Sequence, residues 1–215
     1  MKPIVSEKDF PTANKFVYLN AANVALMYSG AEKIITKWVA DVAQNGSNNF
    51  DDHAEEHVFK ELHRAAAQLI NASGDDIAAG SSATELLCSL AWAVYPGKDK
   101  NVVSTEIVFP STVYPWQRVA RSTGCEIRLA KEKNNFIHTD DIIALIDQNT
   151  AVVCISHVEY GNGQTYDLQL LADAAHQKGA LLVVDATQSA GSIPIDVQAC
   201  PVCLLYTSPS PRDRG

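Results

Sequence analysis

The chain has 215 residues, 47% of them hydrophobic and 20% charged, and a formal net charge of −8 at pH 7. This composition is typical of a soluble globular protein of one domain or slightly more. The net acidity, with no block of lysine or arginine, argues against a nucleic-acid partner or an anionic membrane surface. The polar amino terminus is unlike a signal peptide and no apolar run has membrane-spanning length, so the sequence predicts a cytoplasmic protein.

The amino-terminal third of the sequence predicts an arm followed by two helices. Residues 1–29 contain two prolines and one short apolar run at 16–19, which predicts an arm or a short strand before a turn. Apolar residues then recur at helical spacing over 30–44 and again over 53–71. We therefore expect one helix over each of these ranges.

Beyond residue 77 the pattern changes to short apolar runs that alternate with helical segments. The predicted strands are 77–79, 101–104, 126–129, 151–155 and 181–184, and the predicted helices are 84–94, 111–121, 140–146 with Thr139 as its cap, and 167–178. Repeated strand–helix units of this length are typical of an α/β fold. We expect a mostly parallel sheet with helices on both faces.

The last thirteen residues, 203–215, break this pattern, with two prolines and no periodicity. They resemble the translation of a widely used sequencing-library adapter. We therefore expect the genuine sequence to end near Val202 and the segment after it to be a non-native tail with no partner element. An ordinary disordered terminus is the alternative.

Three loops that follow predicted strands carry candidate binding residues. Residues 80–85 place small and hydroxyl side chains, among them Thr84, at the start of a helix, which suits an anion but equally suits simple capping. Phe109 offers a flat platform for a ring or a core side chain. The apolar run 180–184 ends in Asp185, whose burial is costly unless a cation or hydrogen-bond donors meet it. Taken alone, Asp185 could bind a metal or a ribose.

Five segments, taken together and in order, resemble one family. They are YLNAA (18–22), SSATE (81–85), TEIVFPSTVYPW (105–116), SHVEYGNGQ (156–164) and VDATQSAG (184–191). The chain resembles the large domain of fold-type-I enzymes that use pyridoxal 5'-phosphate (PLP), in the class V aminotransferase branch. That branch includes kynureninases, isopenicillin-N-epimerase-like proteins and cysteine desulfurases. The resemblance implies an arm over 1–29, an incomplete PLP-binding large domain over 30–202, an amino acid substrate and a homodimeric full-length protein.

The resemblance also implies how the cofactor would be held. Ala83 and Thr84 would bind the phosphate group, and Phe109 would stack on the pyridine ring. Asp185 would pair with the protonated ring nitrogen, and so keep the ring an electron sink. Gln188 would donate a hydrogen bond to the phenolic oxygen of the ring.

Other positions are less direct matches to the family. His157 would either line the pocket or cap its strand. Phe109 replaces the histidine of cysteine desulfurases and is closer to kynureninases and epimerase-like proteins. Tyr160 stands where relatives often have an asparagine, so that role does not carry over.

The lysine to which the family attaches PLP as a Schiff base lies about a strand and a turn beyond the aspartate. No lysine follows Lys178 in this sequence, so we expect a fragment that lacks the catalytic residue, is inactive alone and expresses poorly. The alternative is a doubly wound α/β domain without PLP that binds a nucleotide or a metal through Asp185.

Metal ligation has weak support in the sequence. His53 and His57 share a helical face beside Glu56, but they lack the HExxH pattern, and a solvated charged face explains them better. Cys200 and Cys203 have the spacing of half a zinc site and no second pair. We predict no metal site.

Overall fold

The computed structural model describes residues 6–15 and 17–207. The described part of the chain forms two compact units, one that ends at Leu62 and one that begins at His63 and includes the residues up to 207. The boundaries predicted after residues 29 and 202 stay predictions. Within the described ranges, no helix combines the length and apolar character needed to cross a bilayer.

The first unit is helical. Two one-turn 3-10 helices, Glu7–Asp9 and Pro11–Asn14, precede α1 (Ser29–Asn45) and α2 (Asp52–His57), and α3 (Lys60–Ile70) begins before the boundary between the units. The predicted helix at 30–44 is confirmed. It ends at Gly46, whose φ of 60° lies in the left-handed region that glycine adopts without strain.

Two predictions for this region are wrong. The helix expected over 53–71 is interrupted at Val58 and Phe59. Val58 keeps right-handed helical angles, and valine and phenylalanine are both residue types with weak helix propensity. The strand expected over 16–19 is also missing: residues 17–19 have no regular structure. Phe16 lies outside the described residues.

The second unit contains a five-stranded sheet in the order β2-β1-β3-β4-β5, with every neighbouring pair parallel. The strands are β1 (Asn101–Thr105), β2 (Glu126–Ala130), β3 (Thr150–Ser156), β4 (Leu181–Asp185) and β5 (Leu204–Tyr206). The helices are α4 (Ala83–Val94), α5 (Pro110–Thr123), α6 (Thr139–Ile143) and α7 (Leu168–Gln177). This is the predicted α/β class.

Alternate side chains of the central strands enter two separate cores. One core joins α4 and α5 to the sheet residues Val102, Val152, Cys154 and Val183. The other joins α6 and α7 to Val103, Val153, Ile155, Leu182 and Val184. Strands buried on both faces read as continuous apolar runs, which is why the sequence revealed them. Helices on both faces are confirmed.

Three details of the second unit correct the sequence analysis. Residues 77–79 are not a strand: Ile77 is extended but pairs with no described strand, and a 3-10 turn, Gly74–Asp76, precedes it. Thr139 is the first residue of α6 and not its cap, a position that His138 takes without a side-chain bond. In the expected partnerless tail, Leu204–Tyr206 pairs with the exposed edge of β4, because this short apolar run can satisfy the backbone groups of that edge. Residues 208–215 lie outside the described residues.

A polar cluster ties three strands together at the amino-terminal edge of the sheet. Asp147 accepts hydrogen bonds from the Arg128 guanidinium at 2.6 Å, from the Asn149 backbone N–H at 2.8 Å and from the Asn101 amide at 2.9 Å. These bonds, led by Arg128, lower the pKa of Asp147 from 3.8 to about 2.

Replacing Asp147 with asparagine should therefore destabilise the protein at neutral pH but not in strong acid. A lowered pKa contributes stability above the unfolded value of 3.8, and this contribution disappears as the pH falls toward 2. Urea unfolding midpoints of the two proteins should differ at neutral pH and converge near pH 2. A difference that stays constant with pH would contradict this assignment.

Candidate cofactor site

Phe109, His157, Asp185 and Gln188, four of the six predicted site residues, follow or end neighbouring strands at the carboxyl edge of the sheet. β1 and β3 are adjacent, yet the chain leaves β1 toward β2 on one side and leaves β3 toward β4 on the other. Open α/β sheets bind ligands at such a switch point. Phe109 follows β1, His157 follows β3, and Asp185 ends β4 opposite Ser156.

The amino terminus of α4 has backbone N–H groups that no described residue accepts. Ser82 is the cap: its Oγ accepts the N–H of Glu85 at 3.2 Å and its carbonyl accepts the N–H of Leu86 at 3.2 Å. The N–H groups of Ala83 and Thr84 have no acceptor among the described residues. Free N–H groups at a helix amino terminus favour a bound anion, since the helix dipole points the same way.

A side-chain bond joins this terminus to that of α5. The hydroxyls of Thr84 and Ser111 are 2.8 Å apart. Ser111 was not identified in the sequence analysis, although its hydroxyl at a second helix start after a strand is a usable signal. The amino termini of α4 and α5 therefore lie next to each other.

Asp185 is buried, with 7% of its surface exposed, and has two hydrogen-bond donors. The Thr112 hydroxyl donates to Oδ2 at 3.3 Å and the Thr187 backbone N–H donates to Oδ1 at 2.9 Å. Among the described residues, no lysine, arginine or histidine lies within ion-pair distance of this carboxylate. A buried carboxylate compensated by two neutral donors favours a cationic ligand, and a protonated pyridine nitrogen fits this need.

Phe109 occupies the position before the first turn of α5 and is partly exposed. The ring of Tyr160 meets it edge-on, with centroids 5.3 Å apart and planes at 87°. The Tyr160 ring therefore packs against Phe109. This contact agrees with the expectation that Tyr160 does not take the role of the asparagine found in relatives.

His157 and Gln188 both lie near Asp185. His157 is its neighbour across the sheet, and Gln188 follows it along the chain. The His157 N–H donates to the Asp185 carbonyl at 2.9 Å. Its ring is buried, which lowers its pKa, and its Nδ1 has no partner among the described residues. Gln188 lies in the turn after β4, three residues beyond Asp185, and is partly exposed. Thus the six predicted residues lie around one edge of the sheet, and their roles toward a cofactor stay predictions.

A buried acid, Glu159, lies beside these residues and was not predicted from the sequence. Glu159 accepts hydrogen bonds from the Thr105 hydroxyl at 3.1 Å and from the Tyr166 hydroxyl at 3.2 Å. Burial raises its pKa to about 7, against the two hydrogen bonds, and the negative charge of Asp185 adds to the rise. An acid just past a buried strand is the signal that could have identified it.

Replacing Thr112 with valine should weaken PLP binding by roughly tenfold, because a hydrogen bond to a charged group contributes about 1.5 kcal/mol. Valine has nearly the same shape, so folding should be preserved. Thr123→Val is the matched control, since the Thr123 hydroxyl donates to a backbone carbonyl at the other end of α5. Fluorescence titration with PLP would measure both, and equal affinities would remove Thr112 from the site.

A parallel sheet covered on both faces, with helix amino termini and a buried acid at its carboxyl edge, agrees with the large domain of the fold-type-I class of PLP-dependent proteins. The class V aminotransferase family model matches residues 18–209, and the chain belongs to that family.

Curated relatives agree with this assignment. A kynureninase of Geobacillus thermodenitrificans is 29% identical over 187 residues, which are 83% of this chain and 44% of the relative. An uncharacterized aminotransferase of Bacillus subtilis is 28% identical over 196 residues, 91% of this chain and 51% of the relative. A probable cysteine desulfurase of Methanothermobacter thermautotrophicus is also 28% identical, over 89% of this chain and 48% of the relative. The chain thus spans about half the length of the curated relatives it matches.

Solved structures share the fold. A C-DES mutant with glycine covalently linked to the PLP cofactor superposes with a TM-score of 0.84 at 19% identity, over 96% of this chain and 56% of that one. The complex of the cystine C–S lyase C-DES with cysteine persulfide gives a TM-score of 0.82 at 20% identity, over 94% of this chain and 55% of that one. The predicted fold class and family are both confirmed.

The family match does not favour the alternative of a nucleotide- or metal-binding domain without PLP. No three histidine, cysteine, aspartate or glutamate side chains of the described residues group as metal ligands. His53 and His57 stack on each other, with ring centroids 4.3 Å apart.

Proposed function

We propose that the chain is part of a PLP-dependent enzyme that acts on an amino acid by transamination, epimerisation or lyase chemistry. The observation that carries this proposal is Asp185, a buried carboxylate at the switch-point edge with hydroxyl and N–H donors but no cation in the described structure. PLP supplies a ring that withdraws electrons from a bound amino acid while its nitrogen is protonated.

The residues of the chain would bind and orient this group. The N–H groups of Ala83 and Thr84, with the Thr84 hydroxyl, would hold the phosphate at the start of α4. Phe109 would cover one face of the ring, and Asp185 would hold the proton on the ring nitrogen. Gln188 would donate to the phenolic oxygen.

His157 would line the pocket as a neutral imidazole, because burial lowers its pKa. Its backbone N–H is committed to the Asp185 carbonyl, which fixes the ring beside β4. Its unpartnered Nδ1 leaves one polar atom for a ligand or a water molecule.

Catalysis by this chain alone is not part of the proposal. We propose that the lysine that the family links to PLP is not among the 215 residues, since no lysine follows Lys178. We propose that the chain binds PLP without turning over an amino acid, and that the whole protein is a cytoplasmic homodimer.

Titration of the purified chain tests the cofactor proposal. PLP should bind saturably, with a change in its absorbance, and more tightly than pyridoxal, which lacks the phosphate for α4. Adenine nucleotides and divalent metals serve as competitors and as ligands in their own right. Binding of a nucleotide or metal in place of PLP would favour the alternative, and equal affinity for PLP and pyridoxal would contradict the phosphate assignment.

A further inference from the structure

The carboxyl group of Glu159 lies in the loop after β3 and is almost entirely buried, with 1% of the residue exposed. Its Oε1 accepts the hydroxyls of Thr105, at the end of β1, and of Tyr166, at the far end of the same loop. Its Oε2 is buried and has no partner among the described residues. One oxygen atom thus ties the end of a neighbouring strand to both ends of the loop.

The backbone closes the loop around this group. The N–H of Glu159 donates to the Gln164 carbonyl at 2.8 Å, and the Gly163 N–H donates to the Glu159 carbonyl at 2.9 Å. The Tyr166 N–H donates to the His157 carbonyl at 3.1 Å. Tyr160, the next residue after Glu159, is the one whose ring meets Phe109 edge-on. The position of Glu159 therefore sets the position of the Tyr160 ring beside Phe109.

The surroundings of the carboxyl favour its neutral form. Burial of the carboxyl is the largest factor, and Asp185 on β4 adds negative charge, while the hydrogen bonds from the neutral Thr105 and Tyr166 hydroxyls only partly oppose them. His157 brings no compensating positive charge, because burial lowers its pKa. No cationic side chain of the described residues forms an ion pair with Glu159. An unpaired buried charge is more costly than a neutral acid.

We propose that Glu159 is a positioning residue that acts as a neutral carboxylic acid, holding the loop of residues 157–166, and with it Tyr160, against Phe109. The proposal rests on the proposed function only in taking Phe109 as part of the cofactor pocket. Loss of the proton should loosen the loop.

The direction of the pH effect follows from proton linkage. Burial raises the pKa in the closed loop from 4.5 to about 7, and an opened loop regains the ordinary value. Opening therefore releases a proton within this range, and its equilibrium constant should rise about tenfold per pH unit up to about pH 7 and then level off.

Hydrogen–deuterium exchange of the whole chain tests this directly. After correction for intrinsic rates, the N–H groups of Glu159, Gly163 and Tyr166 should lose protection with rising pH. The N–H of Gly124, which donates to the Ala120 carbonyl just after α5, should not. Glu159→Gln keeps the acceptor oxygen without the titration, so its loop should stay protected at all pH values. Glu106→Gln is the matched control, because hydrogen bonds from Lys131 and Glu132 lower the pKa of Glu106 and leave nothing to titrate in this range.

A role in packing alone would give the same pH profile of hydrogen exchange in the parent chain and in Glu159→Gln, and that result would overturn the proposal.

PLP titration distinguishes a failure of this proposal from a failure of the proposed function. Above about pH 7, Glu159→Gln should bind PLP more tightly than the parent, and Glu159→Ala should bind weakly at every pH. If PLP binds no variant, the proposed function fails, while the exchange profile still decides the role of Glu159.

Discussion

Replacing Asp185 with asparagine should weaken PLP binding by roughly a hundredfold or more. Removing one partner of a buried charge pair costs about 3 kcal/mol or more. Asparagine keeps an acceptor for the Thr112 hydroxyl or the Thr187 N–H, but it cannot hold a proton on the ring nitrogen. The bound cofactor should therefore be both weaker and shifted toward its neutral-ring absorbance.

The control for this change is Asp147→Asn, at the opposite edge of the same sheet, which should leave the PLP dissociation constant unaltered. Unfolding of Asp185→Asn without ligand should stay close to that of the parent chain, since no charge pair is lost there. Unchanged PLP affinity in Asp185→Asn would mean that Asp185 does not contact the ring nitrogen, and would contradict the proposed cofactor site.

Replacing Trp116 with alanine should destabilise the second unit by about 4 kcal/mol, within the range for large-to-small aromatic changes in cores. Trp116 has 0% exposure and lies between α5 and the sheet, in the core that includes Val102, Cys154 and Val183. Its removal leaves a cavity under the helix that carries Ser111 and Thr112. Urea unfolding followed by circular dichroism would measure the loss.

The chain contains its own comparison for this variant. Trp92 on α4 is 46% exposed and contacts Tyr95 and Arg118. Trp92→Ala should cost about 1 kcal/mol or less, because a partly exposed cation–π contact is worth little more. Equal losses at the two tryptophans would contradict the packing described for α5.

The sequence predicted those features that depend on local pattern. Four of the five strands were placed within one residue of their observed bounds. The prediction was most direct for β3 and β4, because strands buried on both faces are continuous apolar runs. The strand at 204–206 was missed, because a three-residue run becomes a strand only when it meets the free edge of β4. The run at 77–79 was predicted as a strand and is not one, since Ile77 is extended but no described strand pairs with it.

The site residues were predicted from the order of the motifs, and the contacts between them were not predictable. Thr112 and Asp185 are 73 residues apart and meet only because α5 packs against the face of the sheet that includes Val183 of β4. Thr105 and Glu159 are separated by 54 residues and meet across β1 and β3. Sheet order decides such pairs, and composition and periodicity do not reveal it.

The all-parallel sheet has a consequence for how the protein and its cofactor depend on each other. Each strand pairs with a partner that the chain reaches only after a crossover, so closing these pairs is entropically slow, and partly folded chains expose apolar strands. Residues from 83 to 188 must all be in place before the site exists. A ligand that binds only the finished site raises stability with its concentration, by about 2.7 kcal/mol at one hundred times its dissociation constant. The concentration of PLP in the cell would therefore influence the fraction of this chain that is folded.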